Sequence, residues 1–302
     1  MIKKIVVFGA NGFIGENFSE YIFNKKLIND FKFILVGSKS INNKRAGIDY
    51  ALCDLTNHKS LSELLVMVNP NFIINLAGVT GNFELDLCLQ INAEVPRKMM
   101  EIILENNLKV EKMLLIGSAA EYGANTNFPL SEKEKLSSLN NYGLSKIIQT
   151  QYFNYFKDKI NMNIARTFNV IGPNISNRLA IGSFIEKIKK CEEGGTIYTG
   201  DLSAERDYLH IEDVLDAFMK ILTEGKKGEI YNVCSGKCMS MREILDNLIV
   251  ASEKNINVIE QEISNIPSNV SKSKGNNTKL IADVGWSQKI TLNETYAAFF
   301  QN

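Results

Sequence analysis

The chain has 302 residues, enough for a substantial core and one or two domains. Lys plus Arg and Asp plus Glu stand at 34 each, so the formal net charge is zero and no basic field exists for nucleic acid. The longest apolar stretches are too short to span a bilayer, and strand-like sequence starts so near Met1 that no signal peptide is expected.

Ile5-Val6-Val7-Phe8 is a short apolar, β-branched run, the pattern of a buried parallel strand. Gly9-Ala10-Asn11-Gly12-Phe13-Ile14-Gly15 follows at once, and a helix is expected from about Glu16 to Lys25. Strand, glycine turn and helix together form the context for a dinucleotide site. Glycines allow a tight turn and close approach of backbone to a pyrophosphate, and the helix N-terminus offers free N–H groups. Gly9, Asn11, Gly12, Phe13, Ile14 and Gly15 are therefore candidate cofactor residues; the alternative is a glycine-rich turn without a ligand.

The second strand, Phe33-Ile34-Leu35-Val36, runs into Gly37-Ser38-Lys39-Ser40. An NAD site usually carries an acid here for the ribose hydroxyls. Ser38 and Lys39 stand there instead and suit a 2′-phosphate, so NADP(H) is expected, with NAD(H) as the alternative. A solvated loop is the plainer reading of the same residues. Tyr50-Ala51-Leu52-Cys53 leads to Asp54-Leu55, where a carboxylate can accept from an adenine amino group or simply start a turn. Phe72-Ile73-Ile74-Asn75-Leu76 leads to Ala77-Gly78, small enough for backbone to pass close to a cofactor.

Ser118 precedes Tyr142-Gly143-Leu144-Ser145-Lys146. On a helix, Tyr142 and Lys146 share a face. A phenol has a reference pKa of about 10, and a neighbouring ammonium lowers it. A hydroxyl such as Ser118 can hold a substrate oxygen against that phenol, which makes a device for proton transfer to an alcohol oxygen. Taken alone, the Tyr-x-x-x-Lys spacing fits any amphipathic helix. Beside a nucleotide site it marks Ser118, Tyr142 and Lys146 as candidate catalytic groups.

Strands and helices alternate to about Phe168, which implies an α/β fold of Rossmann type, a doubly wound parallel sheet with helices on both faces. After Gly172-Pro173 the rhythm is irregular, with helices expected near Ile181 to Cys191, Asp213 to Thr223, Met241 to Ala251 and Leu292 to Phe299. Two domains are expected, a dinucleotide-binding part over 1–168 and a smaller mixed α/β substrate lobe over 169–302. Ser264 to Asn277 reads as a mobile polar loop. Cys53, Cys88, Cys191, Cys234 and Cys238 are scattered and the histidines number two, so no metal site is expected and a reducing cytoplasm fits.

These residues, with Asn92, Tyr122-Gly123, Arg166-Thr167-Phe168-Asn169-Val170-Ile171-Gly172-Pro173, Arg206-Asp207, His210, Asp213, Tyr231-Asn232-Val233, Asn277-Thr278-Lys279 and Gly285-Trp286, resemble the extended short-chain dehydrogenase/reductase family, the nucleotide-sugar epimerases, dehydratases and reductases. Within it, Ile116-Gly117-Ser118 to Gly123, Gly200 to Asp207 and Ser240 to Leu245 look most like the reductases of nucleotide-linked 4-keto-6-deoxyhexoses. Ile266-Pro267 and Gly275-Asn276-Asn277 stand where those reductases usually have Arg-Pro and Gly-Asp-Asn.

The resemblance implies Tyr142 as general acid, Lys146 on the nicotinamide ribose and Ser118 on the keto oxygen. It extends the cofactor set to Leu55, Leu76, Ala77 and Phe168, and names Asn169, Arg178 and Arg206 with Ser118 as substrate contacts. Arg206 is the natural diphosphate clamp, with a local salt bridge to Asp207 as the plainer reading. His210 and Asp213 are read as structural. The family's dehydratases carry acids just after the catalytic Ser or Thr; Ala119 and Ala120 supply none, and Glu121 is expected to face elsewhere from an extended segment. A reductase is thus the first expectation, a 4-epimerase with tightly held NAD the second, and a non-catalytic nucleotide-binding regulator the third. A nucleotide-diphosphate sugar is the expected partner. A homodimer built on helices near Asn92 to Leu104 and Tyr142 to Tyr155 is also expected.

Overall fold

The computed structural model describes residues 2–41, 44–261 and 270–301. The strands are β1 (Lys3–Phe8), β2 (Phe31–Gly37), β3 (Ile48–Leu52), β4 (Phe72–Asn75), β5 (Lys112–Ser118), β6 (Met162–Thr167), β7 (Asn169–Ile171), β8 (Thr196–Thr199), β9 (Glu205–Arg206), β10 (Tyr208–His210), β11 (Ile230–Val233), β12 (Met239–Ser240), β13 (Asn257–Glu260) and β14 (Lys272–Ser273). The helices are α1 (Phe13–Asn24), α2 (His58–Val68), α3 (Leu85–Leu89), α4 (Val95–Glu105), α5 (Asn141–Phe156), α6 (Ala180–Lys190), α7 (Ile211–Glu224), α8 (Met241–Ala251), α9 (Thr278–Val284) and α10 (Leu292–Ala298).

The main sheet has seven strands in the order β3-β2-β1-β4-β5-β6-β11. Every pairing in it is parallel. The direction of winding changes between β1 and β4, the point at which open α/β sheets bind ligands. Side chains alternate between faces, as strand geometry requires. Ile5, Val7, Phe33, Leu35, Ile74 and Leu114 pack with α1, α7 and α9 on one face. Val6, Phe8, Ile34, Val36, Ile73 and Leu115 pack with α2, α4 and α5 on the other. Each such side chain, fully buried, contributes roughly 1.5–3 kcal/mol before entropy is subtracted.

Segments after residue 168 rejoin this layer. β11 pairs with β6, and Val214, Phe218, Leu280 and Trp286 belong to the same core as Ile5 and Val7. Trp286 donates to the Asp213 carbonyl at 3.0 Å, and the Asp213 carboxylate accepts from the Lys289 and Ile290 N–H groups. Asp213 therefore ties the first turn of α7 to the following segment. A second core, formed by Ile185, Ile188, Ile197, Ile244, Leu245 and Tyr296 among others, joins α6, α8 and α10 over small sheets β8–β13 and β12-β9-β14. No helix among the described residues is long and apolar enough to cross a membrane.

Two expectations need correction. Ser264 to Asn277 is not all loop: residues 262–269, including Ile266-Pro267, lie outside the described residues, but β14 pairs with β9. Gly275 there donates its N–H to Asp207 at 3.2 Å. The helix expected from Asn92 starts earlier, at Leu85, and passes through a π-helical turn at Gln90–Glu94.

Candidate active site

Gly9 has φ +89°, and a Cβ there would sit 2.6 Å from the Ala77 N. At Gly15 a Cβ would lie 2.3 Å from the Gly9 carbonyl oxygen, whereas at Gly12 the nearest atom would be 3.5 Å away. Gly9 and Gly15 let the turn close on itself, while at Gly12 a Cβ would meet only an ordinary contact before α1. The opening N–H groups of a helix have no partner within it, and Gly12, at the N-cap, carries no side chain to supply one. A cradle of free N–H groups with room above it fits a pyrophosphate.

Asn11 does more than line this turn. Its Nδ2 donates to the Lys39 carbonyl at 3.3 Å and its Oδ1 accepts from the Lys39 N–H at 3.3 Å. The loop after β2 is thereby fastened to the glycine turn, with Ser38 and Lys39 exposed on it. Gly37 is required for this closure, since a Cβ there would meet Asn11 Oδ1 at 2.3 Å. A cavity of about 460 Å³ runs past Asn11, Lys39, Ser40, Arg45 and Tyr50. Asp54 Oδ1 accepts from the Thr56 hydroxyl at 2.7 Å and N–H at 2.9 Å, which holds the carboxyl below its ordinary range. Leu55, Leu76 and Ala77 are partly buried against the two sheet faces, Phe13 and Ile14 likewise on α1.

β5 ends at Ser118, and the chain turns immediately into a 3-10 turn, Ala119–Glu121, rather than continuing extended. Ser118 Oγ accepts from the Ala120 N–H at 3.2 Å, and Glu121 Oε1 accepts from the Ser118 N–H at 2.8 Å. The turn sends Ala119 and Ala120 into the cleft and Glu121 into the core, where it is fully buried. The expected direction of Glu121 holds, for a different local reason.

α5 is capped by Asn140, whose Oδ1 accepts from the Gly143 N–H at 2.8 Å; such a cap is worth about 1 kcal/mol. Gly143 allows the helix start to press on the turn, because a Cβ there would lie 2.6 Å from the Ala120 carbonyl oxygen. That contact brings Tyr142 into the same cleft as Ser118. Asn92, fully buried in the π-helical turn, donates to Ser145 Oγ at 2.9 Å and accepts from the Val79 N–H at 2.9 Å. It braces α5 against the loop after β4.

Lys146 is buried, and its Nζ donates to the Ile116 carbonyl at 2.7 Å. Gln149 joins it, with Oε1 3.4 Å from Nζ. Burial pulls the ammonium down to about 8, opposed by the Glu121 carboxylate. The expected lowering of the phenol by Lys146 is absent from this geometry. Burial raises Tyr142 above the ordinary phenol value, the Ser118 side chain opposes this, and the charges of Glu121 and Cys88 add to the rise. Tyr142 is thus a protonated group at neutral pH.

Ser118, Ala119, Ala120, Tyr142, Phe168, Asn169, Arg206 and Tyr208 line one cleft of about 370 Å³. Asn169 Nδ2 donates to the Asp207 carbonyl at 3.1 Å. Arg206 donates to the Glu205 carbonyl at 2.8 Å and to the Val270 carbonyl at 2.8 Å. Asp207 gathers the loops behind this wall, accepting from the Ser235 N–H, the Ser235 hydroxyl, and the Gly236 and Gly275 N–H groups. Burial nonetheless pushes its carboxyl up to about 6. His210 Nδ1 accepts from the Glu212 N–H at 3.2 Å and caps α7. Arg178 is exposed in the loop before α6, between Ile175 and Leu179, which line the cleft. Sequence reasoning missed Gly143, Gln149 and Tyr208. Of these only Gly143 carried a signal, a glycine just inside a helix start.

A model of the NAD dependent epimerase/dehydratase family matches residues 5–234. The chain is 24% identical over 319 residues to GDP-6-deoxy-D-mannose reductase of Pseudomonas aeruginosa, covering 100% of this chain and 97% of that protein. Its fold matches the structure of RMD from Pseudomonas aeruginosa complexed with NADPH with a TM-score of 0.83, at 23% identity over 99% of this chain and 97% of that one. It matches UDP-glucose 4-epimerase from Thermotoga maritima, solved with UDP-glucose, with a TM-score of 0.87, at 21% identity over 98% of this chain and 97% of that one. With the family model spanning three quarters of its length and the fold shared throughout, the chain belongs to the NAD dependent epimerase/dehydratase family, within the extended short-chain dehydrogenases/reductases.

Proposed function

We propose that this protein is an NADPH-dependent reductase of the C4 ketone of a nucleotide-linked 4-keto-6-deoxyhexose. The observation that carries the reading is the protonated Tyr142 phenol, which shares with Ser118 a cleft whose neighbouring positions, Ala119 and Ala120, are apolar. Ketone reduction needs one acid at the carbonyl oxygen. Elimination of water from a hexose needs a further base and acid, which the two alanines do not supply and the inward Glu121 does not replace.

The glycine turn over Gly9, Asn11, Gly12, Phe13, Ile14 and Gly15 would hold the dinucleotide pyrophosphate, Ser38 and Lys39 its 2′-phosphate, and Leu76, Ala77 and Phe168 the path toward the reacting end. When bound, the nicotinamide supplies the hydride. In this reading Ser118 orients the keto oxygen, and Tyr142 donates its proton there as the alcohol forms. Lys146, its ammonium anchored on the Ile116 carbonyl, would bind the nicotinamide ribose. Asn169 and Arg206 hold the sugar nucleotide, with the planar guanidinium suited to diphosphate oxygens. The absence of an acid on the loop after β2 favours this over an epimerase with resident NAD. A homodimer remains the proposed working unit.

The test is purified protein mixed with NADPH and a panel of nucleotide-linked 4-keto-6-deoxyhexoses. Stoichiometric loss of reduced-nicotinamide absorbance supports the reductase. Co-purified NAD, with sugar interconversion and no net loss, would identify the epimerase. NADPH binding without turnover across the panel would favour the regulator.

A further inference from the structure

Directly behind the cleft lies a buried ion pair that the reaction as derived does not use. Glu121 is 0% exposed and Arg166 1% exposed, with Nη2 and Oε2 2.9 Å apart. Replacing a buried pair of this kind with apolar side chains is often neutral or stabilising, so stability alone is a weak reason for it. Its connections point elsewhere. One carboxylate oxygen accepts from the Ser118 N–H at 2.8 Å; the other accepts from the Thr150 hydroxyl, on α5, at 2.8 Å. Arg166 Nη1 donates to the Tyr122 hydroxyl at 2.9 Å, which donates to Asn232 Oδ1 at 2.7 Å. The pair thus joins the end of β5, the helix carrying Tyr142 and Lys146, and strands β6 and β11. The backbone makes room for it: a Cβ on Gly117 would lie 2.7 Å from Glu121 Oε1.

We propose that Glu121, held by Arg166 and Thr150, is a positioning residue for the proton-transfer site: it fixes the Ser118 turn against α5 and supplies the negative charge that faces the buried Lys146 ammonium. The inference rests on reading Ser118, Tyr142 and Lys146 as the catalytic groups. Glu121 is the ionisable group that supports the Lys146 charge against burial. The groups whose charges bear on Tyr142 are Glu121 and Cys88. Arg166 is turned onto Glu121 and Tyr122 and donates to both. One side chain therefore sets both the place of the hydroxyl and the charge state of the amine.

The test is Glu121→Gln, which keeps the shape and an acceptor for the Ser118 N–H but removes the charge. The first readout needs no substrate: an NMR titration of ¹³C-labelled lysine in the cofactor-free protein, with Lys146 assigned by its loss in Lys146→Met. Lys146 is expected to titrate about one pH unit lower than in the wild type, the lower end of the effect of a nearby opposite charge. The second readout is kinetic. The alkaline limb of kcat/KM is expected to move down by the same unit, while NADPH affinity at pH 6 is unchanged. Should the single variant fail to fold because Arg166 is left unpaired, Glu121→Gln/Arg166→Gln puts an amide pair in its place and carries the same expectation. A Lys146 titration identical to wild type in a folded variant would overturn the proposal and leave the pair a purely structural element. Because the lysine titration is read without a sugar, it decides this point even if the reductase reading fails.

Discussion

The wall around the glycine turn and the wall of the Ser118 cleft are built in different ways. The glycine-turn wall is backbone: Gly9 packs a would-be Cβ position against the Ala77 N at 2.6 Å, and Gly37 leaves 2.3 Å to Asn11 Oδ1. Its parts sit at the ends of adjacent strands β1, β2 and β4. The other wall is side chains, with Ala119, Phe168, Asn169, Arg206 and Tyr208 gathered from segments far apart in the chain. A backbone wall admits almost no change and recognises a constant ligand part. A side-chain wall can vary residue by residue without disturbing the sheet, so selectivity among sugars belongs there. Ser118 and Tyr142 line that second cleft.

The largest effect expected is at Tyr142. Tyr142→Phe should lower turnover by about 10²–10⁴-fold, the usual worth of a positioned acid, with NADPH fluorescence titration unchanged. Full activity in that variant would remove the proposed acid. Next, Gly9→Ala should strain the backbone by about 1–3 kcal/mol before the clash with Ala77 is counted, lowering the urea midpoint and abolishing cofactor binding. On the other wall, Ala120→Ser should change sugar KM while stability stays within about 0.5 kcal/mol. Equal destabilisation by the two changes would break the contrast between the walls.

A third expectation concerns pH. Lys146 titrates at about 8, so its ammonium is present below that value and lost above it. The kcat/KM for ketone reduction should be flat toward neutrality and fall tenfold per unit above about pH 8. A limb that rises there would reverse the assigned charge state. The smallest effect is on the exposed loop after β2. Lys39→Ala should weaken NADPH by about tenfold, near the low end for a hydrogen bond to a charged group, and leave NADH unaffected. Equal weakening of both would end the 2′-phosphate argument.

The backbone wall was legible in the sequence because its determinants are local. Strand, glycine turn and helix lie within Ile5 to Lys25, and the alternation of strands and helices to Phe168 describes the sheet that forms. The side-chain wall was legible only through the family resemblance. Arg178 sits in the loop before α6, where no periodicity fixes direction, and the structure turns it to solvent. Glu121 followed Ser118 too closely for spacing alone to tell an extended segment from a 3-10 turn, and that turn decides which way the carboxylate points. The ionisation of Tyr142 was beyond reach for the same reason. Helical spacing gave its neighbour Lys146, but burial and the carbonyl of Ile116, thirty residues earlier, determine where the ammonium goes. The segment from 270 to 277 looked like loop because its strand partner, β9, is two residues long.

The most direct test of the central claim follows the hydride. Protein is supplied with NADPH deuterated at the transferring position and a nucleotide-linked 4-keto-6-deoxyhexose, and the product sugar is examined by NMR and mass spectrometry. The account expects one deuterium at C4 for each NADPH oxidised. Product without label, or a C4-inverted sugar formed with no NADPH consumed, would contradict it.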